Sequence, residues 1–435
     1  MSSHITGFQA SSAPASTLSQ RINSIDMMRG LVMLIMLLDH VRERFFLQYQ
    51  VSDPMDIGST DPALFFSRLA AHWCAPVFVC LAGVSAFLYQ QQGRSLTPFL
   101  LKRGLVLIAL EVIVINVAWM GHYHTLWLQV IWAIGMSMLV LAALHRLPRP
   151  LIWLLAITII AGHNLLTPIR FTPDEWGYTL WVILHDRGYI WQGQLSLLGD
   201  YAFAIKASYP LLPWFGVILL GYAMGPWFLP DKTSAGSSSL LSRRLCLAGG
   251  IALGLLLILR SVNQYGEPVA WQWHDRGLQT VMSWFNFTKY PPSLDFLLLT
   301  LGLMCFALVG FSRLSGAAEK PASALPSLAF SRGARTTAAQ SRARIALGAW
   351  LAMLQAYGGA PMFFYILHLY VLLLLHKTLS WWQSTSGVGS AEGYAMSHIG
   401  QIWLCSLVLA VLLYWPTRAF AAFKRRSGWR WLRYL

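Results

Sequence analysis

Residues 29–44, RGLVMLIMLLDHVRER, decide how this chain is read. An unbroken apolar run from Leu31 to Leu38 meets a carboxylate and an imidazole, Asp39 and His40, before it is long enough to cross a bilayer. A crossing takes about 20 residues for about 30 Å of hydrocarbon. Extended from Asp26 to Phe46, the segment reaches about 31 Å at about 1.5 Å per residue, and its polar residues then travel into the membrane with it. At about 100° per residue, Asp26, Arg29, Met33, Met36, His40, Glu43 and Arg44 share one face about 100° wide, and Asp39 points about 100° away from His40. Polar side chains are costly against lipid, so this stripe is expected to line a cavity or a packed interior. Asp26 and Arg29, three residues apart, are expected to pair.

The rest of the chain agrees with a membrane reading. Of its 435 residues 56% are hydrophobic and only 11% charged, against roughly a quarter charged in a soluble domain. Twenty Trp and 16 Tyr suit interfacial belts. Five cysteines, Cys74, Cys80, Cys246, Cys305 and Cys405, are scattered through apolar runs with no C-x-x-C spacing, so neither a disulfide frame nor a zinc site is implied. The histidines show no H-x-x-x-H or H-E-x-x-H spacing, and no metal site is expected.

Apolar segments near 26–46, 72–90, 104–121, 126–144, 150–166, 208–228, 245–262, 293–312, 360–378 and 400–418 predict an all-α bundle of about ten transmembrane helices. The net charge of +15 follows topology rather than nucleic acid: with the N-terminus inside, most of the 32 Lys and Arg fall in cytoplasmic segments, which gives an N-in, C-in chain. The expected organisation is a disordered tail over 1–20, eight crossings over 21–313 and a flexible linker over 314–345. An amphipathic helix at 346–357 and two crossings complete 346–418, and a basic tail closes 419–435. The segment 346–357 is also readable as an eleventh crossing, which would invert the C-terminus; the basic tail argues against that. The outer loops 167–207 and 263–292 are rich in Trp, Tyr, Asp, His and Asn, a chemistry suited to sugars as well as to interfacial anchoring.

Three further segments carry candidate residues. His72 enters the second helix from the outer side at the depth of His40, so the two are expected to meet in one site. Pro76, Val79 and Gly83 share its face, and small residues there let helices approach. On the ninth helix Tyr365 and His368 share a face. The eighth opens with TKYPPSLD, where prolines at a helix start beside Lys289 and Tyr290 are readable as an anion seat or as a device that stiffens the loop.

Five blocks in order, RINSIDMMRGLVMLIMLLDH, HWCAPVFVCLAGVSAFL, FNFTKYPPSLDFLLLTLG, YGGAPMFFYILHLYVLLLLH and RRSGWRWLRYL, resemble an uncharacterised bacterial branch of the family that shares its catalytic domain with heparan-α-glucosaminide N-acetyltransferase. The link to the characterised enzyme rests on the D-x-x-R-G start, the methionine seven residues after the arginine, and the A-x-x-x-x-P-x-F-V-x-x-x-G pattern from Ala71 to Gly83. The resemblance implies a multi-pass enzyme of the bacterial inner membrane. Such an enzyme takes acetyl-CoA or another acyl-CoA from the cytosol and acetylates a sugar on the far side, without a metal. The family enzyme has its catalytic histidine in the loop between the first two helices; the matching stretch, DPMDIGSTDPAL (53–64), has none. An asparagine important in that enzyme aligns with His40 and an aspartate with His72. The first-helix motif also resembles bacterial sugar O-acyltransferases, in which a histidine at the end of that helix is considered essential.

Together these readings give an acyltransferase with His40, His72, Asp39 and Glu43 as catalytic candidates and Asp26, Arg29, Lys289, Tyr290, Tyr365 and His368 as substrate-binding candidates. The partners are membrane lipid and a glycan or lipid-linked sugar acceptor, with a homodimer compatible and nucleic acid not implied. The alternative is a proton-coupled carrier or flippase for a small polar or lipid-linked substrate, since polar residues lining a bundle suit transport too. Carriers often show an internal repeat, and none is visible between the two halves.

Overall fold

A computed structural model describes residues 15–195, 201–229, 237–319, 335–385 and 393–434. These are mostly helical, 73% helix and 5% strand. In chain order the first helices are α1 (Ala15–Phe45), α2 (Pro62–Ala71), α3 (Cys74–Gln90), α4 (Leu96–Leu110), α5 (Asn116–Met120), α6 (Val130–Leu144) and α7 (Arg149–Gly162). There follow α8 (Tyr178–Leu184), α9 (Leu211–Met224), α10 (Ser237–Val262), α11 (Gly277–Trp284), α12 (Leu294–Glu319), α13 (Arg335–Gly359), α14 (Pro361–Thr385) and α15 (Ile399–Arg426). Three strands, β1 (Thr125–Leu128), β2 (Gly188–Leu195) and β3 (Tyr201–Ala207), form one sheet in the order β1-β3-β2.

Each of the ten apolar segments carries a helix, and among the described residues seven helical stretches are long and apolar enough to cross a membrane. α1 is not among the seven because Asp26, Arg29 and Asp39 break its apolar composition, and α6 is only 15 residues long. The spans differ in position within the bundle. Those at Pro62–Gln90, Leu211–Phe228 and Leu294–Ser315 are two-thirds or more buried, whereas those in α7, α10 and α15 are only 22% buried. The exposed faces of α10 and α15 present Leu247, Ile251, Ile258, Leu404 and Leu407 outward, as a lipid-facing surface requires.

α1 is the central helix. It packs on α13, α12, α14, α15, α2 and α3, and Met27, Met28, Val32, Leu37, Val41 and Phe45 are fully buried. Glycine sets its closest contact: a Cβ added at Gly30 would lie 1.9 Å from the Leu354 carbonyl oxygen, and one at Gly358 would lie 1.7 Å from that of Asp26. Only a residue without a side chain lets two backbones approach this far. The same holds between α3 and α9 at Gly83 and Gly221, in line with the close approach expected at Gly83. Gly358→Ala is therefore expected to cost about 1–3 kcal/mol through overpacking, read as a lower melting temperature in detergent. An unchanged melting temperature would show that α1 and α13 do not pack this closely.

Four expectations need correction or extension. The chain is not purely α-helical: β1 replaces the first turn of the helix expected from 126, and β2 and β3 arise from the aromatic loop 167–207. The third crossing, expected at 104–121, is interrupted by a π-helical turn at Glu111–Ile115. There the buried Glu111 carboxylate accepts the N–H groups of Ile131 and Trp132 at 3.0 and 3.1 Å and so caps α6. The amphipathic helix expected at 346–357 extends over all of α13. The stretch read as a linker, 314–345, is helical through Glu319 and again from Arg335; residues 320–334 lie outside the described residues, as do 1–14 of the expected tail.

Candidate active site

The stripe on α1 faces a cavity of about 280 Å³. Asp26, Arg29, Met33, Met36 and His40 all line it, at the three- and four-residue steps that bring one helix face to one surface. From Asp26 to His40 the helix rises about 21 Å at about 1.5 Å per residue. The cavity therefore has two chemically different ends joined by methionines, whose flexible thioethers suit an adaptable apolar wall.

The first end is cationic. Arg29 pairs with Asp26 at 3.3 Å and donates to Ser85 Oγ at 2.5 Å and to the Leu81 carbonyl at 3.3 Å. Arg103 from α4 and Lys424 from α15 line the same cavity. With one carboxylate against three cations, this end carries a net positive charge. Arg103 and Lys424 read as ordinary cytoplasmic basic residues in the sequence; only the packing of α4 and α15 brings them beside Arg29.

The second end holds His40. Its Nδ1 lies 2.7 Å from Nε2 of His368, and Nδ1 of His368 lies 2.7 Å from the Phe364 carbonyl oxygen. A carbonyl can only accept, so His368 carries its proton on Nδ1 and its Nε2 is an acceptor. The proton between the two rings then belongs to His40 Nδ1, and the lone pair of His40 is left on Nε2. Trp119 and Tyr365 meet the His40 ring edge-on at centroid distances of 4.8 and 5.7 Å. A fixed tautomer in a caged ring with the lone pair left on Nε2 is the arrangement a general base needs.

The other candidates fall into three groups. Asp39 lines the cavity despite its different angle on the helix, but Arg42 holds it at 2.8 and 3.0 Å and Arg68 at 3.5 Å. Glu43 joins the same network through Arg42 and Arg68 at 3.1 and 3.5 Å. Both acids are thus committed to arginines, which ties α2 to the end of α1. Neither Glu43 nor Arg44 is among the cavity-lining residues. Arg44 donates instead to the carbonyls of Ala118 and Trp119. His72 is buried at the turn between α2 and α3 and packs on Phe296 of α12, 5.1 Å between centroids. It is not among the cavity-lining residues, and the expected meeting of His40 with His72 is replaced by the meeting of His40 with His368. That partner could not be found from depth alone, because depth does not say which way a ring turns.

Lys289 lines the cavity and is buried. The prolines beside it lie in a turn ahead of α12, and the helix N-terminus is already occupied. Asn164 Oδ1 accepts from Leu294, the Gly266 carbonyl from Asp295 and Ser293 Oγ from Phe296. The anion seat expected at that helix end is therefore closed, and Lys289 reaches the cavity from the turn. Asp53 fastens the turn by accepting the N–H groups of Lys289 and Tyr290 at 2.9–3.2 Å, and Glu267 holds Thr288 and Ser293. Burial pushes the Asp53 carboxyl above the usual carboxylate range, against the pull of Arg68 and of those N–H groups. Tyr290 is not among the cavity-lining residues; its hydroxyl donates at 3.2 Å to that of Tyr209, which is. Tyr365 lines the cavity, while His368, read as substrate-binding, is fully buried behind His40 and acts on it rather than on the cavity.

Fold and site together define a helical membrane protein with a charged, histidine-bearing cavity inside its bundle. The model of the heparan-alpha-glucosaminide N-acetyltransferase catalytic family matches residues 21–259, just over half of the chain, and the chain belongs to that family. It is a multi-pass membrane protein of a transferase family. No curated protein matches the sequence. The matched region contains Asp26, Arg29, Asp39, His40, Glu43 and His72 and ends before Lys289, Tyr290, Tyr365 and His368. Among the described residues no group of three or more His, Cys, Asp or Glu side chains could hold a metal ion.

Proposed function

We propose that the chain is an acyltransferase that moves an acyl group, acetyl in the first instance, from cytosolic acyl-CoA to a sugar or glycan on the far side of a bacterial inner membrane. The proposal includes ten crossings with both termini in the cytoplasm. The observation that carries it is a single cavity with Arg29, Arg103 and Lys424 at one end and His40 at the other, Arg29 and His40 being about 17 Å apart along α1 at about 1.5 Å per residue. That span is of the order of an extended pantetheine arm. Phosphates of the donor seated at the cationic end would therefore deliver the thioester to His40.

At that point His40 Nε2 takes the proton of the acceptor hydroxyl or amine as its oxygen or nitrogen attacks the thioester carbonyl. The new C–O or C–N bond forms, the C–S bond breaks, and the imidazolium returns its proton to the departing CoA thiolate. The Tyr365 hydroxyl, on the same cavity wall, is the donor available to the tetrahedral oxyanion. His72, a catalytic candidate from the sequence, packs on Phe296 instead. Asp39 and Glu43 contribute charge and position rather than a proton.

The test is ligand stabilisation. CoA and acetyl-CoA are expected to raise the melting temperature of the purified protein, by about 2.7 kcal/mol of apparent stability at a hundredfold excess over Kd. Arg29→Ala and Arg103→Ala are expected to shrink the shift. No shift with any acyl-CoA would overturn the proposal in favour of a carrier.

A further inference from the structure

The small sheet has a face that the cavity does not use. β1 runs parallel to β3 and β2 antiparallel to it, and the register sets Trp127 opposite Lys206 and Tyr189 opposite Lys206. One row therefore crosses all three strands as Trp127–Lys206–Tyr189. The Lys206 ammonium lies 4.8 Å from the Trp127 centroid and 4.6 Å from that of Tyr189. Alternation along a strand puts neighbouring residues on the other face, and those neighbours, Leu126, Ile190 and Ile205, pack on the hydrophobic core. The Trp127–Lys206–Tyr189 row is thus on the outward face. The next row on this face is Thr125–Ala204–Gln192, which puts a small residue between a hydroxyl and an amide.

The sheet is also joined to the cavity. β1 leads within three residues to Val130 and Ile131, and β3 leads to Tyr209; all three line the cavity. Tyr209 is in turn bonded to Tyr290 beside Lys289, and the Arg187 guanidinium lies 4.8 Å from the Tyr290 centroid. Among the described residues Lys206 makes no ion pair with a carboxylate. Flat aromatic faces stack on the apolar side of a sugar ring, amides and hydroxyls bond its hydroxyls, and an ammonium between them selects an anion.

We infer that this face of the sheet is the acceptor-docking subsite and that the acceptor is a saccharide carrying an anionic group, phosphate or carboxylate, which Lys206 receives. The inference rests on the proposed acyl transfer for the word acceptor, but its binding test does not.

Equilibrium dialysis of the full-length protein in detergent against labelled glucose 6-phosphate, glucuronic acid and glucose would test it. One or both anionic sugars are expected to bind at least about tenfold more tightly than neutral glucose, the effect of one charge-assisted contact. The tighter of the two tells phosphate from carboxylate. Lys206→Gln is expected to abolish the preference, and Trp127→Ala to weaken all three sugars. Both variants should keep the acetyl-CoA thermal shift, which reports that they are folded and keeps failure of the subsite apart from failure of the donor site. Equal binding of charged and neutral sugars would overturn the inference. So would a Lys206→Gln protein that keeps the preference, or inorganic phosphate competing as well as the sugar phosphate.

Discussion

Replacement of His40 by alanine is expected to lower acyl transfer by about 10²–10⁴-fold, the contribution of a positioned general base, while the protein still inserts and still gains stability from CoA. The separation of the two effects follows from the cavity. The cationic Arg29 lies about 17 Å down α1 from His40, and that end keeps Arg29, Arg103 and Lys424 whatever occupies position 40. The measurement is CoA-thiol release from acetyl-CoA in the presence of an acceptor, alongside the melting temperature with and without CoA. A His40→Ala protein with undiminished transfer would remove the general base from the mechanism. A protein that lost both transfer and the CoA shift would instead report misfolding, and His40→Gln, closer in size, would then decide.

The second large effect is expected at His368, which touches neither substrate in the proposed mechanism. When His40 takes a proton, its Nδ1–H bond to His368 becomes charge-assisted. Losing such a bond costs about 1.5–3 kcal/mol, and hence about 10–100-fold in kcat, with little change in KM for acetyl-CoA. His368→Ala should show this split. His368→Gln, whose amide oxygen can still accept from His40, should recover part of kcat. A merely structural role would move melting temperature and kcat together and would give no recovery with Gln. Equal kcat values for the Ala and Gln variants would end the positioning role.

His368 also shows where sequence reasoning stops. Its pairing with Tyr365 on one helix face was legible, because three-residue spacing puts side chains on one side of a helix. Its pairing with His40 was not, since 328 residues separate them and only the packing of α14 against α1 brings the rings to 2.7 Å. The same limit explains His72. Its depth in the second segment was legible, but the turn between α2 and α3 places its ring on Phe296. The sheet is not legible because its strands are short, because β1 lies far from β2 and β3 in the chain, and because they are built from the aromatic residues that also mark interfacial loops. At Lys289 the proline-rich turn was legible, but the acceptors that close the α12 N-terminus come from Asn164 and Gly266, on other segments.

What the chain determined by itself is what depends on neighbours a few residues away. The α1 stripe of Asp26, Arg29, Met33, Met36 and His40 follows from helical periodicity and from the cost of polar groups in lipid, and it does line the cavity. The helical segments follow from runs of apolar residues, and the open seams at Gly30, Gly83 and Gly358 from residues with no side chain to obstruct them. Tertiary structure decided the partners. It drew Arg103 and Lys424 to Arg29, turned His368 rather than His72 onto His40, and committed Asp39 and Glu43 to Arg42 and Arg68. Those choices depend on which helix faces which, and that is settled by the fit of whole surfaces across the bundle, a quantity that no local spacing records.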